Sequence, residues 1–181
     1  RRVGLHRYSC LRRGASRQPA VSFDLGFAVN RDEPVETGIT LEGPTTISGY
    51  RFSTGWAKDQ RVFFVARFST PYQTWLIGDP GGYSPDRREI QATRARGLFR
   101  FVLRPGQPLL LKVGISAVSV DGARRNLERE TPGWEFDGHR KEAATAWERK
   151  LQRVRIETPD RARKTVFYTA LYHSMLAPTA Y

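Results

Sequence analysis

The sequence predicts a mainly β protein, an antiparallel β-sandwich followed by helices. Three observations support this prediction. Short segments rich in Val, Ile, Phe and Thr fill the first two thirds of the 181-residue chain, with Gly- or Pro-containing breaks between them. From residue 121 onward, apolar residues recur every three or four positions, which is typical of helices. Strands that precede helices in chain order favour a β domain followed by a separate helical part.

The predicted strands alternate apolar and polar residues, as expected for half-buried sheets. In "RVFFVARF", for example, Val62, Phe64 and Ala66 fall on one face. The segment 78–97 is irregular, and we predict a loop with one strand there. The strand-like segments are residues 20–29, 35–42, 46–53, 61–69, 74–78, 97–103 and 108–120.

Three helices are expected in the last third of the chain. Asp121 is the predicted N-cap of the first, and Pro132-Gly133 its stop. In the second, Phe136, Arg140, Ala143, Trp147, Leu151 and Val154 form one stripe at helical spacing. The third begins after Thr158, a candidate cap, with Pro159 at its first position.

The last helix is apolar almost all the way round, so it requires cover on every side. One preceding amphipathic helix covers a single stripe of it. We therefore expect residues 1–120 to be a β-sandwich incomplete at its start, 121–157 a helical linker, and 158–181 the first helix of a helical domain that continues beyond this sequence.

Composition narrows the classes of function. Hydrophobic residues make up 39% of the chain and four are tryptophans, which is typical of a folded protein. The net charge of +12 comes mainly from arginines scattered along the chain, without a nucleic-acid-binding motif, so no nucleic-acid partner is predicted. No apolar run is long enough for a membrane span, and none is predicted.

No catalytic constellation is visible in the sequence. The three histidines lack metal-ligand spacing, and no pair of carboxylates stands out for glycoside hydrolysis. The polar run "NRDE" at 30–33 is the one local calcium candidate, and a hydrated turn is the preferred interpretation. Cys10 alone excludes an internal disulfide within this sequence, and we interpret it as a small buried residue on a strand.

The stretch "GYRFSTGWAKDQRVFFVARF" is the candidate binding site. Its indole, Trp56, has polar neighbours and can cover the CH face of a pyranose, with Arg51 and Lys58 nearby. The competing interpretation is a bulge in which Trp56 packs on the core. The residues alone leave both interpretations open.

Four blocks resemble glycoside hydrolase family 92 in the same order: "GLHRYSC", "GYRFSTGWAKDQRVFFVARFS", the run from "LLLKVGISAVSVDG" to "RKLQRVRIET", and "KTVFYTALYHSMLAP". The resemblance covers nearly the whole chain and is weakest at 78–97. It implies a Ca²⁺-dependent, inverting exo-α-mannosidase, often bacterial, and periplasmic or secreted. It also implies an N-terminal sandwich, linker helices and an (α/α)6 barrel, with the active site where the two domains meet.

The resemblance carries no catalytic residue or calcium ligand onto this chain, because the family's acid, base and ligands lie mainly in the barrel. We expect this chain alone to be inactive, walling one side of the site for a mannose-containing glycan beside its own C-terminal (α/α)6 domain. Calcium is expected mainly in that domain. The alternatives are a stand-alone carbohydrate-binding sandwich without hydrolytic activity and, less favoured, a basic nucleic-acid-binding protein.

Overall fold

The structure is a computed structural model that describes residues 2–9, 19–28 and 30–176. Cys10 lies outside these residues. The chain divides into two compact units, residues 1–134 and 135–181. The predicted boundaries after residues 120 and 157 stay predictions.

In the described residues, ten strands and three helices follow one another. The strands are β1 (Val3–Tyr8), β2 (Ala20–Asp24), β3 (Glu33–Leu41), β4 (Thr46–Thr54), β5 (Gln60–Phe68), β6 (Thr74–Asp79), β7 (Gly82–Ser84), β8 (Glu89–Ala92), β9 (Arg96–Arg100) and β10 (Leu109–Ser116). The helices are α1 (Val120–Glu130), α2 (Phe136–Leu151) and α3 (Arg161–Ser174).

Two antiparallel sheets form the first unit. The larger has the order β1-β10-β5-β4-β3-β8 and the smaller β2-β9-β6-β7. The predicted fold class, an antiparallel sandwich followed by helices, is confirmed. The prediction of one strand in 78–97 is wrong, since both β7 and β8 lie there. The short β7 and β8 pair with β6 and β3 respectively, so long-range pairing supplies what the local pattern lacks.

The core lies between the sheets and is rich in aromatic side chains. Phe99 is fully buried, with its ring centroid 5.9 Å from those of Phe23 and Phe68 and 5.1 Å from that of Tyr72. Alternation delivers these rings, because successive residues of a strand point to opposite faces. In β5 it sends Phe64, Ala66 and Phe68 into this core.

Thr37 connects the large sheet to the chain segment that crosses to the small one. Its hydroxyl donates to the carbonyl oxygen of Ala92 at 2.7 Å and accepts from the amide of Ala95 at 2.8 Å. The residue is fully buried, so these bonds satisfy backbone groups that water does not reach.

Helix α1 covers part of the outer face of the large sheet. Ala123 and Leu127 pack there against Val65. A Cβ at Gly114 would lie 2.6 Å from the carbonyl oxygen of Ala123, so the close approach of helix and strand requires a glycine. The predicted cap is wrong: Ser119, not Asp121, caps the helix by accepting a hydrogen bond from the amide of Gly122.

The second unit consists of α2 and α3. The predicted cap of α3 is also wrong. Asp160, not Thr158, accepts hydrogen bonds from the first amides of this helix. The rings of Trp147 and Tyr172 are in contact, with centroids 4.7 Å apart. Neither helix has a fully buried residue, and Val166 is 69% exposed. Within the residues described, no helix has the length and hydropathy needed to cross a bilayer.

Candidate functional site

Trp56 projects from the hairpin loop between β4 and β5 with 99% of its surface exposed. Within the described part of the chain, the interpretation that Trp56 packs on the core is therefore wrong. The loop is seated by Gly55, where a Cβ would lie 2.6 Å from the carbonyl oxygen of Arg31. A glycine thus lets this hairpin lie directly against the loop that precedes β3. We call the loops 25–28, 30–32, 55–59 and 117–118 the Trp56 end of the sandwich.

Arg51 holds two of these loops to the large sheet. Its guanidinium donates to the carbonyl oxygens of Leu25 and Phe27 at 2.6 and 2.7 Å. It also donates to the carboxylate of Asp32 at 2.8 Å and to the Asp32 carbonyl oxygen at 3.2 Å. The side chain is only 17% exposed, so the charge is hydrogen-bonded in a largely water-excluded position. Arg51 therefore orders the loops around Trp56, and direct contact of Arg51 with a sugar stays a prediction.

Lys58 lies two residues after Trp56 and is exposed. The neighbouring Asp59 binds Arg61, with Nε and Oδ1 3.0 Å apart and both side chains more than half exposed. The hairpin therefore presents an exposed indole and an exposed ammonium group next to other polar side chains. This composition suits a hydroxyl-rich ligand. Sugar binding by Lys58 also stays a prediction.

The carboxylate of Asp32 is the acidic partner in this arrangement. A hydrogen bond from Ser53 and the contact with Arg51 lower the pKa of Asp32 below its usual value near 3.8, against the opposing effect of desolvation. A carboxyl whose folded-state pKa is lowered stabilises the fold above its unfolded pKa. That contribution is lost as the pH falls through the folded value.

We expect the Asp32→Asn variant to be less stable than the wild type at pH 7, because the charged partner of Arg51 is lost. The difference in free energy of unfolding should begin to shrink below about pH 4, where the unfolded carboxyl takes up a proton, and should disappear as the pH falls through the lower folded-state pKa. Urea unfolding at pH 7, 5, 4 and 3 measures this. The matched control is Asp59→Asn, whose exposed ion pair contributes little. A constant difference between wild type and Asp32→Asn at every pH would contradict the prediction.

Several apolar side chains at or beside the Trp56 end are exposed, and the sequence reasoning missed them. They are Phe27 at 67%, Val62 at 42%, Ile115 at 45% and Val118 at 80% exposure. Val62 pairs with Arg51, and Ile115 pairs with Phe64 on the neighbouring strand, so both lie on the inner face where the large sheet extends toward these loops. The predicted strand-like segments 20–29 and 108–120 include Phe27 and Val118. In the structure β2 ends at Asp24 and β10 at Ser116, so both residues lie in loops.

The predicted turn at 30–33 is engaged by arginines. Asp32 binds Arg51, and the carboxylate of Glu33 lies 3.4 Å from Arg94. Across residues 2–9, 19–28 and 30–176, no group of three or more His, Cys, Asp or Glu side chains is placed to hold a metal ion. The described residues thus do not fit a calcium site, and calcium bound elsewhere in a longer protein stays a prediction.

Other carboxylates of the first unit also bind arginines, as required in so basic a chain. Glu42 pairs with Arg124 at 2.7 Å, which ties α1 to the end of β3, and the contact lowers the pKa of Glu42. Glycoside hydrolysis needs two carboxyl groups that flank one bond. The ion pair of Glu42 with Arg124 stabilises the fold and does not supply such a pair of carboxyl groups.

In the second unit, the described residues form two open grooves on the helices. One, of about 620 Å³, is lined by α2 and the turn after it, including Glu148, Arg149 and Arg155. The other, of about 480 Å³, runs along α3 and includes Lys164, Tyr168 and Tyr172. Neither lining brings two carboxylates together, so the Trp56 end remains the candidate binding surface.

Comparison with known proteins assigns the chain to a family. The profile of the glycosyl hydrolase family 92 N-terminal domain matches residues 1–116, and that of the family 92 catalytic domain matches residues 122–181. A curated relative, an uncharacterized secreted glycosidase of Arthroderma benhamiae, is 36% identical over 75 residues, which is 39% of this chain and 10% of the relative.

Solved structures agree. A family 92 α-mannosidase of Bacteroides thetaiotaomicron superposes with a TM-score of 0.86 at 26% identity, over 99% of this chain and 24% of that protein. An inverting mannosidase of Bacteroides thetaiotaomicron shares the fold at 21% identity, with a TM-score of 0.78 over 88% of this chain and 21% of its own. The chain thus spans about a quarter of the length of these relatives. With both family profiles matched in order, the chain belongs to glycosyl hydrolase family 92.

Proposed function

We propose that this chain is the N-terminal part of a secreted exo-α-mannosidase that acts on mannose-containing glycans, such as N-glycan mannose, with inversion of the anomeric centre. The observation that carries the proposal is the superposition of 99% of the chain on a family 92 α-mannosidase. A further structure of that enzyme holds mannoimidazole, which supports a mannose-like ligand. Secretion is supported by the description of the Arthroderma relative as a secreted glycosidase.

The proposed reaction divides the work between two parts of a longer protein. An inverting glycosidase needs a carboxylic acid to protonate the leaving oxygen and a carboxylate to activate water on the opposite face of the sugar. We assign both groups to a helical catalytic domain of which residues 122–181 are the beginning. We also propose that this domain binds the calcium ion that the family resemblance implies.

The sandwich contributes a wall of the sugar site in this proposal. Trp56 is the residue best suited to that role, because its indole is exposed beside two loops that Arg51 holds in place. An exposed indole can cover the apolar CH groups of a sugar ring. Lys58 supplies a nearby donor for sugar hydroxyls.

The test compares the complete gene product with residues 1–181 alone on α-linked mannobiose, with NMR of the first-formed anomer. We expect the complete protein to release β-mannose, the product of inversion, and the short chain to release none. Absence of mannose release by the complete protein would overturn the proposed activity, and an initial α-anomer would overturn inversion. Mannose release by residues 1–181 would overturn the assignment of the catalytic groups to the longer helical domain.

A second candidate, a carbohydrate-binding sandwich without hydrolysis, is favoured by the full exposure of Trp56 in the described chain. It requires binding without the barrel. Titration of residues 1–181 with mannose oligosaccharides separates the two: saturable binding, abolished by Trp56→Ala, together with an inactive complete protein, would favour this candidate.

A further inference from the structure

Lys112 is buried where a lysine is rarely found. It lies in β10 on the outer face of the large sheet, opposite Arg67 of β5, and only 2% of its surface is exposed. Lysine is almost never fully buried in proteins unless its charge is compensated, because removing an ammonium from water is costly. The contacts that compensate the charge therefore indicate the structural role of the Lys112 side chain.

The ammonium of Lys112 reaches the segment that follows α1. Its Nζ donates to the carbonyl oxygen of Thr131 at 2.8 Å and to that of Pro132 at 3.1 Å, and lies 4.2 Å from the ring centroid of Trp134. We call these contacts of Lys112 with residues 131–134 the Lys112 clasp. Three kinds of stabilisation meet here, namely charged hydrogen bonds, a cation on an aromatic face, and a cation at a helix C-terminus.

The clasp lies where the first unit ends. Helix α1 ends at Glu130, Thr131 is its C-cap, and the division between the two units falls directly after Trp134. Thr131 is itself buried, and its amide donates to the carbonyl oxygen of Leu127. The carbonyl oxygens at 131 and 132 thus receive a donor from strand β10, which fixes this segment to the sheet.

A hydrophobic residue at position 112 would be the simpler solution for burial alone. Methionine has a similar stem and needs no compensation, but it cannot satisfy two carbonyl oxygens or attract an aromatic face by charge. A lysine at this position loses the solvation of its charge, but its hydrogen bonds define the path of residues 131–134.

We propose that Lys112 is a positioning residue, which holds residues 131–134 on the sheet and so fixes the point at which the chain leaves the first unit, residues 1–134, for the rest of the helical domain. The expected effect on kcat/KM rests on the proposed function, because a sugar site formed by residues of two domains requires a fixed connection between them. The structural part of the proposal, the fixed exit point, is independent of any activity.

The test uses the complete gene product with Lys112→Met, which keeps the stem and removes the charge. Amide hydrogen exchange at Thr131, whose amide donates to the carbonyl oxygen of Leu127, should accelerate about tenfold or more, because the segment opens more often once it loses the hydrogen bonds from a charged donor. The small-angle X-ray scattering curve of the Lys112→Met protein should differ from that of the wild type. kcat/KM on α-mannobiose should fall about tenfold or more per folded molecule, since small displacements of binding groups are costly to catalysis.

The matched control is Arg129→Met, which removes an exposed cation from the last turn of the same helix and should leave all three measurements unchanged. Unchanged hydrogen exchange in Lys112→Met would overturn the clasp. Faster exchange with wild-type scattering and wild-type kcat/KM would overturn the positioning role and leave a contribution to stability only. If the wild-type protein releases no mannose, the proposed function fails, while exchange and scattering still decide the role of Lys112.

Discussion

Replacing Trp56 with alanine in the complete gene product is expected to lower kcat/KM on α-mannosides by about 30-fold, with almost no change in the free energy of unfolding. The stability term is small because the side chain is 99% exposed and packs on nothing in the described chain. The activity term is large because a central tryptophan in a binding site contributes about 2 kcal/mol or more, which is about 30-fold in affinity.

Two measurements make this expectation specific. The Trp56→Phe variant keeps an aromatic face and should recover most of kcat/KM, whereas a contact that depends on the indole N–H would not be recovered. Urea unfolding of residues 1–181 gives the stability term separately. Unchanged kcat and KM in the Trp56→Ala protein would mean that Trp56 does not contact the sugar, and the Trp56 end would no longer be the candidate binding surface.

Replacing Phe99 with alanine is expected to destabilise the protein by about 3–5 kcal/mol, the largest stability effect that we predict. Phe99 is fully buried in β9 and packs against rings from both sheets, so truncation leaves a cavity that neither sheet can fill without moving the other. The urea midpoint should fall sharply with little change in the slope of the transition.

The control for this prediction is the same substitution at an exposed site. Phe27 is 67% exposed, so Phe27→Ala should change the free energy of unfolding by less than about 0.5 kcal/mol. Equal effects at the two positions would mean that the sandwich core is not organised around Phe99. A loss below about 1 kcal/mol at Phe99 would have the same meaning.

Strand periodicity predicted the sandwich well because alternation reflects a direct physical requirement, an apolar face toward the core. It could not decide which face was inner in "GYRFS". Tyr50 and Phe52 are the apolar pair there, yet Gly49 pairs with Phe64 and so places Arg51 on the inner side. The loops that supply carbonyl oxygens to Arg51 come from another part of the chain, and no local pattern reports them.

The sequence pointed to only part of the candidate site, whose role in sugar binding stays a prediction. Composition drew attention to Trp56, but one tryptophan beside polar residues is compatible with burial or exposure until the hairpin is placed in space. The clasp at Lys112 left no signal, because a lysine within "LLLKVGIS" reads as the exposed position of an edge strand. Its true partners lie about 20 residues later, beyond a helix whose packing is a tertiary property.

The pairing of β1 with β10 has a consequence for how the protein is made. Val3 pairs with Gly114, so β1 leaves the ribosome more than a hundred residues before the strand that pairs with it in the described residues. At about 5–20 residues per second, β1 waits on the order of 5–20 seconds. During that time the β10 edge it will occupy does not exist, and β1 presents unpaired backbone groups that invite association with other chains. Nascent chains of this protein should therefore depend on holding chaperones more than its mature stability would indicate.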